Sequence, residues 1–229
     1  MGDIIAVTGT GTGVGKTYTA ALLANIQSAL GKRVCYYKPY QSGVFHDGKR
    51  LVLPDIDFIK WHTPLASSDI HVTYALNPAL SPYHAAREMG VGITSSEAVD
   101  KAVQLTQTYD TVILEGAGGV YAPILKQYYF LDLFTDCGAS AVVVADGVLG
   151  AINHTLLTCE ALINRKIKIR MVILNQCRRE KEPVFDINYE YLSEQLAPAC
   201  VVKLPFIDNR HPMKDGFDPE RFKEIGERL

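Results

Sequence analysis

The opening of this chain constrains its fold more than any other segment. A short apolar run, Ile4–Val7, is followed at once by GTGTGVGKT at residues 9–17. Without a Cβ, glycines let successive backbone N–H groups turn inward around a phosphate. From Thr17 onward, Ala20, Leu22, Leu23, Ile26 and Leu30 recur at helical spacing, and the pattern stops at Gly31. The segment therefore reads strand, tight loop, helix, with the helix start adding free N–H donors and partial positive charge. In such a turn Lys16 reaches the β/γ oxygens of a nucleotide, and the Thr17 hydroxyl joins the shell of a Mg²⁺ ion. Strict spacing wants glycine five positions before Gly15, where Thr10 stands; the glycine falls one earlier, at Gly9, so the loop is a longer variant. A dinucleotide-binding GxGxxG pattern fails at Lys16.

The remaining sequence alternates strands with helices. Val34–Tyr37 reads as a second strand, with Pro39 marking its exit from the sheet. Residues 41–94, rich in Ser, His, Asp and Pro, are expected to form loops and short helices over the site. Thr94-Ser-Ser-Glu97 has the form of a capping box opening a helix to about Thr108. Val112–Leu114, Ala141–Ala145, Met171–Leu174 and Val201–Leu204 read as strands, and Asn153–Leu162 and Tyr189–Leu196 as helices. Asp218-Pro219-Glu220 opens a terminal helix. Strands such as AVVVA, apolar without alternation, belong in a parallel sheet covered on both faces. The expected fold is α/β, a three-layer α/β/α arrangement with a mostly parallel sheet of the P-loop NTPase type, formed by residues 1–229 as one domain.

Composition narrows the partners. The 23 basic and 25 acidic side chains leave a formal charge of −2 over 229 residues, which predicts neither nucleic acid nor membrane as a partner. No window reaches the ~20 apolar residues of a membrane span, and the first residues lack the pattern of a signal peptide. The 5 cysteines are scattered, without CxxC spacing, and the 6 histidines form no HxH or HExxH array. These features point to a cytoplasmic protein with free thiols and no zinc centre. GxSxG is absent, so no hydrolase nucleophile is indicated.

Magnesium takes oxygen ligands, commonly one or two carboxylates beside phosphate oxygens and water. Glu115 ends the Val112–Leu114 strand, at the sheet edge where open α/β proteins bind ligands. Asp55 and Asp57 are further candidates, and either could instead be a helix cap. Lys38 ends a buried strand, which brings its ammonium near the phosphate loop, where a fixed cation neutralises a transferring phosphoryl group. Ser42 follows within reach of the same region.

Several blocks occur in order along nearly the whole chain: GTGTGVGKT, then YKPYQSG at 37–43, NPALSPYHAA at 77–86, LEGAGGVYAPI at 114–124, GVLGAINHTLLT at 147–158 and ILNQC at 173–177. Together they resemble the dethiobiotin synthetase family, ATP-dependent cyclo-ligases of biotin biosynthesis. The resemblance implies a homodimer that uses ATP, Mg²⁺, CO₂ or bicarbonate, and 7,8-diaminononanoate. It implies that Thr17, Asp57 and Glu115 hold the metal, Asp57 being preferred to Asp55. Gly13, Val14, Gly15, Lys16, Thr17 and Tyr18 would cradle the nucleotide, with Asn175, Gln176 and Pro205 at the adenine. Thr12, Lys16, Lys38 and Ser42 would hold the phosphoryl group and carbamate, with Gly118 alongside. Gly150, Ala151 and Asn153, at a helix start, would receive the substrate carboxylate across the dimer interface near Tyr191. The chain departs from the family at Gly11 and Gly13, where acidic residues are common. A partition- or septum-positioning ATPase shares the extended loop but usually carries an early lysine, where this chain has Thr10, Gly11 and Thr12.

Overall fold

The computed structural model describes residues 1–180, 182–208 and 210–229. The elements run β1 (Asp3–Gly9), α1 (Lys16–Ala29), β2 (Val34–Ser42), β3 (Phe45–His46), β4 (Leu51–Val52), α2 (Pro54–His62), β5 (Ile70–Leu76), α3 (Pro82–Met89) and α4 (Ser95–Leu105). Then follow β6 (Thr111–Glu115), β7 (Pro123–Leu125), β8 (Tyr128–Tyr129), α5 (Phe130–Asp136), β9 (Ser140–Asp146), α6 (Ala151–Asn164), β10 (Ile169–Asn175), α7 (Phe185–Gln195), β11 (Cys200–Leu204) and α8 (Lys223–Gly226). Among these, seven strands form one parallel sheet in the order β11-β10-β9-β1-β6-β2-β5.

Side chains alternate between the two faces of a strand, and here both faces are covered. Ile5, Val7, Tyr36, Ile113 and Val142 pack with Leu22, Leu23 and Ile26 of α1, Ile56 and Ile59 of α2, and Ile225 of α8. Ile4, Ala6, Tyr37, Val112 and Leu114 pack on the other side with Ala98 and Ala102 of α4, Leu133 of α5, Leu162 of α6 and Leu192 of α7. This is the three-layer α/β/α architecture expected from the sequence. The chain order reverses about β1, which lies between β6 and β9, and all seven strands point their carboxyl ends to one edge. In open α/β sheets, that edge at such a switch point is where ligands bind.

Three local expectations need correction. β2 does not leave the sheet at Pro39 but continues to Ser42. Its pairing with β6 stops at Tyr37, while its pairing with β5 continues at Lys38, Tyr40, Gln41 and Ser42 and skips Pro39. The missing N–H falls where one side of the strand has already lost its neighbour. The 41–94 region contains a full edge strand, β5, as well as loops and helices. The capping box forms by half: Thr94 Oγ1 accepts from the Glu97 N–H, but the Glu97 carboxylate accepts from the Tyr74 hydroxyl instead of reaching back. The Thr94 N–H donates to Tyr74 in turn, at 3.0 Å.

Candidate nucleotide and phosphoryl-transfer site

β1 delivers the chain into the Gly-rich turn, and two glycines are fixed by their surroundings. A Cβ on Gly9 would stand 2.7 Å from Val14, and one on Gly15 only 2.2 Å from Asn175 Nδ2. Gly15 is also at φ +99° and forms the N-cap of α1, in the left-handed region that costs a side-chain-bearing residue about 1–2 kcal/mol. Gly11, by contrast, has nothing within 4 Å of the point a Cβ would occupy, so the acidic residue common there in the resembled family would meet open space. The first turn of α1 carries no acidic side chain to compete for an anion.

A cleft of about 610 Å³ opens over this turn, lined by Thr12, Gly13, Gly15, Lys16, Thr17 and Tyr18 together with Lys38, Ser42, Asp55, Glu115 and Gly118. Lys16 is buried and arches back to donate to the Gly11 carbonyl at 2.7 Å. Burial, reinforced by repulsion from Lys38 and only partly offset by Glu115 and Asp55, brings its pKa down to about 8.

Lys38 is the hub of the cleft. Its ammonium lies 2.6 Å from Glu115 Oε1 and 2.8 Å from Asp55 Oδ2, and donates to the Gly116 carbonyl at 3.0 Å. Burial opposes its charge, but the two carboxylates outweigh burial and hold its pKa above the ordinary lysine value. Asp55 is shifted the other way: burial would raise its pKa, and Lys38, with Thr17 and Gln41, pulls it below the usual carboxylate value. The Thr17 hydroxyl donates to Glu115 Oε1 at 2.9 Å, and the Tyr36 hydroxyl to Glu115 Oε2 at 2.8 Å.

Among the described residues, no group of three or more His, Cys, Asp and Glu forms a metal cluster. The cleft instead gathers two carboxylates and one hydroxyl around Lys38, a hard oxygen set. That set fits a Mg²⁺ ion whose remaining ligands are phosphate oxygens and water. The two aspartates separate clearly. Asp55 faces Lys38 in the cleft, whereas Asp57, two residues along α2, pairs with Arg50 at 3.3 Å and does not line it.

Beside the turn lies a second hollow of about 180 Å³, lined by Gly13, Gly15, Tyr18, Asn175, Gln176, Cys177, Pro205, Phe206 and Ile207. Asn175 Nδ2 donates to the Val14 carbonyl at 3.0 Å, tying the end of β10 to the loop. Gln176 takes its side chain to the Arg178 and Arg179 carbonyls. Gly150, Ala151 and Asn153, at the start of α6, and Tyr191 on α7 line neither hollow. Tyr36 was missed by the sequence reading: within VCYY it looks like strand packing, and only its register beside β6 reveals its contact with Glu115.

The described residues contain no helix long and apolar enough to cross a membrane. In fold, the chain is similar to pNOB8 ParA bound to nonspecific DNA (TM-score 0.61, 15% identity, covering 100% of this chain and 97% of that one). It is also similar to the septum site-determining protein MinD from Pyrococcus horikoshii OT3, complexed with Mg-ADP (TM-score 0.56, 15% identity, covering 100% and 87%). This likeness corrects the expectation that neither nucleic acid nor membrane is a partner. The same architecture is solved on DNA in one case and acts in septum placement in another. A net charge is an average over the surface and excludes no local contact of either kind.

A family model described as an AAA domain matches residues 3–213. The ATP-dependent dethiobiotin synthetase BioD of Fusobacterium nucleatum is 37% identical over 174 residues, covering 75% of this chain and 78% of that protein. The BioD protein of Methanocaldococcus jannaschii is 37% identical over 179 residues, covering 75% and 79%, and that of Halalkalibacterium halodurans is 29% identical over 231 residues, covering 96% and 95%. With a phosphate loop suited to ATP at the edge of a P-loop NTPase fold, and relatives of this closeness, the chain belongs to the ATP-dependent dethiobiotin synthetase family.

Proposed function

We propose that this chain, working as one domain, catalyses ATP-dependent carboxylation and ring closure of 7,8-diaminononanoate with CO₂, giving dethiobiotin, ADP and phosphate. The observation that carries the reading is Lys38, held between Glu115 and Asp55 within the cleft that also receives Lys16, Thr17, Thr12 and Ser42. One substrate amine captures CO₂, forming an N–C bond and releasing a proton to leave a carbamate. A carbamate oxygen attacks the γ-phosphorus of ATP, ADP departs, and a carbamic–phosphoric anhydride remains. The second amine attacks its carbonyl carbon and gives up a proton, the ureido ring closes, and phosphate leaves with the bridging oxygen.

The protein's part is positioning and charge. Lys16 and Lys38 neutralise the transferred phosphoryl group, and Thr12 and Ser42 donate hydrogen bonds to it and to the carbamate. Thr17, Glu115 and Asp55 would hold Mg²⁺, with Asp55 taking the place first given to Asp57, because Asp55 is the aspartate in the cleft. Bound Mg²⁺ would polarise the β/γ phosphates. Asn175, Gln176 and Pro205 would enclose the adenine. The carboxylate end of the substrate would meet the helix start at Gly150, Ala151 and Asn153, with Tyr191 nearby. Those residues lie outside the cleft of their own chain, and Leu149 and Leu157 beside them are exposed at 86% and 57%, which supports a second copy supplying them.

The test is to incubate the protein with Mg²⁺-ATP, bicarbonate and 7,8-diaminononanoate, following ring product by mass spectrometry alongside phosphate. One-to-one appearance that needs both diamine and bicarbonate is expected, and Lys38→Ala and Glu115→Ala should each abolish it. Phosphate release indifferent to the diamine would sink the reading in favour of a switch ATPase of the ParA and MinD kind.

A further inference from the structure

Glu115 is 1% exposed, and its two oxygens are treated unequally. Oε1 takes both Thr17 and Lys38, at 2.9 and 2.6 Å, and so faces the cleft. Oε2 takes the Tyr36 hydroxyl at 2.8 Å, on the side away from those partners. Tyr36 and Lys38 are two residues apart on β2, so both project from the same face of the sheet. Tyr36 pairs with Ile113 in the register of β6, two residues before Glu115. The tyrosine is fully buried in the same apolar cluster as Ile5, Val7 and Ile113, in the layer beneath α1. A carboxylate with one oxygen pinned this way has its plane set before any ligand arrives.

We propose that Tyr36 is a positioning residue for the metal–nucleotide complex: by holding Glu115 Oε2, it leaves Oε1 as the oxygen presented to Thr17, Lys38 and the divalent cation. The inference rests on the Mg²⁺-ATP reading above. Without the hydroxyl, Glu115 is free to rotate and offer both oxygens to Lys38, which withdraws it from the cation. Hydrogen-bonding partners of metal-ligating groups typically contribute about 10–100-fold in metal affinity.

A purely packing role is the rival account, since a buried tyrosine hydroxyl ordinarily finds some partner. Tyr37 supplies the comparison. Its hydroxyl is also in the interior, bonded to Thr73 at 2.6 Å and to the Ala98 carbonyl at 3.3 Å, on the opposite face of the sheet and away from the cleft.

The experiment measures ATP binding by titration calorimetry, with Mg²⁺ and with EDTA, on the full chain and on Tyr36→Phe and Tyr37→Phe, each of which keeps the ring volume. The quantity read is the gain in ATP affinity that Mg²⁺ confers. In Tyr36→Phe that gain should fall by about tenfold or more, with affinity in EDTA held within about twofold, a check that the loop is folded. Tyr37→Phe should keep the full gain even if it melts earlier. A Tyr36→Phe gain equal to the parent's, or an equal loss in both variants, overturns the inference. A parent chain whose ATP affinity ignores Mg²⁺ would instead overturn the metal assignment on which it rests.

Discussion

Replacing Lys38 by Met tests the electrostatics of the cleft directly. Methionine keeps most of the aliphatic stem and removes the ammonium, leaving Glu115 and Asp55 facing a site without its cation. Breaking a buried pair from one side costs about 3–5 kcal/mol. Asp55, at 28% side-chain exposure, retains some access to water, so the lower end, about 3 kcal/mol, is expected. At about 2–4 °C per kcal/mol for a chain of this length, that is about 6–12 °C in melting temperature. The pH dependence follows from the shifts in the parent. The lowered pKa of Asp55 makes its contribution present above the ordinary 3.8 and lost only as pH falls through the lowered value. The raised pKa of Lys38 makes its contribution present below the ordinary 10.5 and lost only above it. Between those limits the parent's cluster is fully paired. In Lys38→Met Asp55 loses the cation that lowers its pKa, so its folded value rises and the variant takes up a proton on mild acidification. Thermal melts of both proteins in EDTA, from about pH 5 to about pH 8, should show the deficit widest at the alkaline end and at least halved at the acid end. A deficit that is constant with pH, or that widens on acidification, would refute the placement of Lys38 beside an ionised Asp55.

Asp55→Asn should lower kcat by about 100-fold, the scale of losing one charge stabiliser at a reacting phosphoryl group, while Asp57→Asn should stay within about threefold; steady-state kinetics that rank the two the other way would return the metal role to Asp57. Gly15→Ala forces a side chain into left-handed backbone and against Asn175, and should weaken ATP binding by about tenfold or more, from about 1–2 kcal/mol of backbone strain alone; unchanged binding in a fluorescence titration would show that the loop relaxes freely. Lys16, lowered to about 8 by burial and by Lys38, deprotonates in the free protein as pH rises past that value and regains its proton against a triphosphate. ATP binding near pH 8.5 should therefore take up a proton, visible as a calorimetric enthalpy that depends on buffer ionisation heat; buffer-independent enthalpy would mean that Lys16 is already fully charged.

Much of this arrangement is legible in the chain because its signals are local. A buried strand that runs straight into GKT and then into a helical pattern has few alternatives. Glu115 announces itself as a charged residue at the end of an apolar strand, and Lys38 as one that directly follows the apolar run of β2. What escaped the sequence depends on non-local geometry. β5, with Ile70, His71 and Tyr74 half-buried, is an edge strand whose IHVTYAL pattern gives neither a clean alternation nor an apolar run. Asp55 and Asp57 are equal candidates by composition; the resemblance favoured Asp57, and Asp55 is the one that lines the cleft. Residues two apart on a helix differ by about 200° in direction, so Asp55 meets Lys38 while Asp57 pairs with Arg50. Which is which follows from how Ile56 and Ile59 seat the helix against the layer beneath it.

The exclusion of nucleic acid and membrane failed for a different reason: composition describes a whole surface, whereas partners are chosen by patches. The fold carries no such information either, because ParA, MinD and this chain share one architecture. The parallel sheet sends the carboxyl ends of its seven strands to one edge, where open α/β folds bind ligands. In this chain β1 supplies the loop, β2 supplies Lys38, β6 supplies Glu115, and β10 supplies Asn175. The loop and Asn175 line the hollow beside the turn. Lys38 adds to that edge a second buried ammonium, which reinforces burial in lowering the pKa of Lys16. The two cations repel, and Glu115 and Asp55 supply the negative charge that keeps Lys38 protonated between them. What distinguishes this sheet edge from a phosphate loop alone is therefore Lys38, with the Glu115 and Asp55 carboxylates that keep it charged.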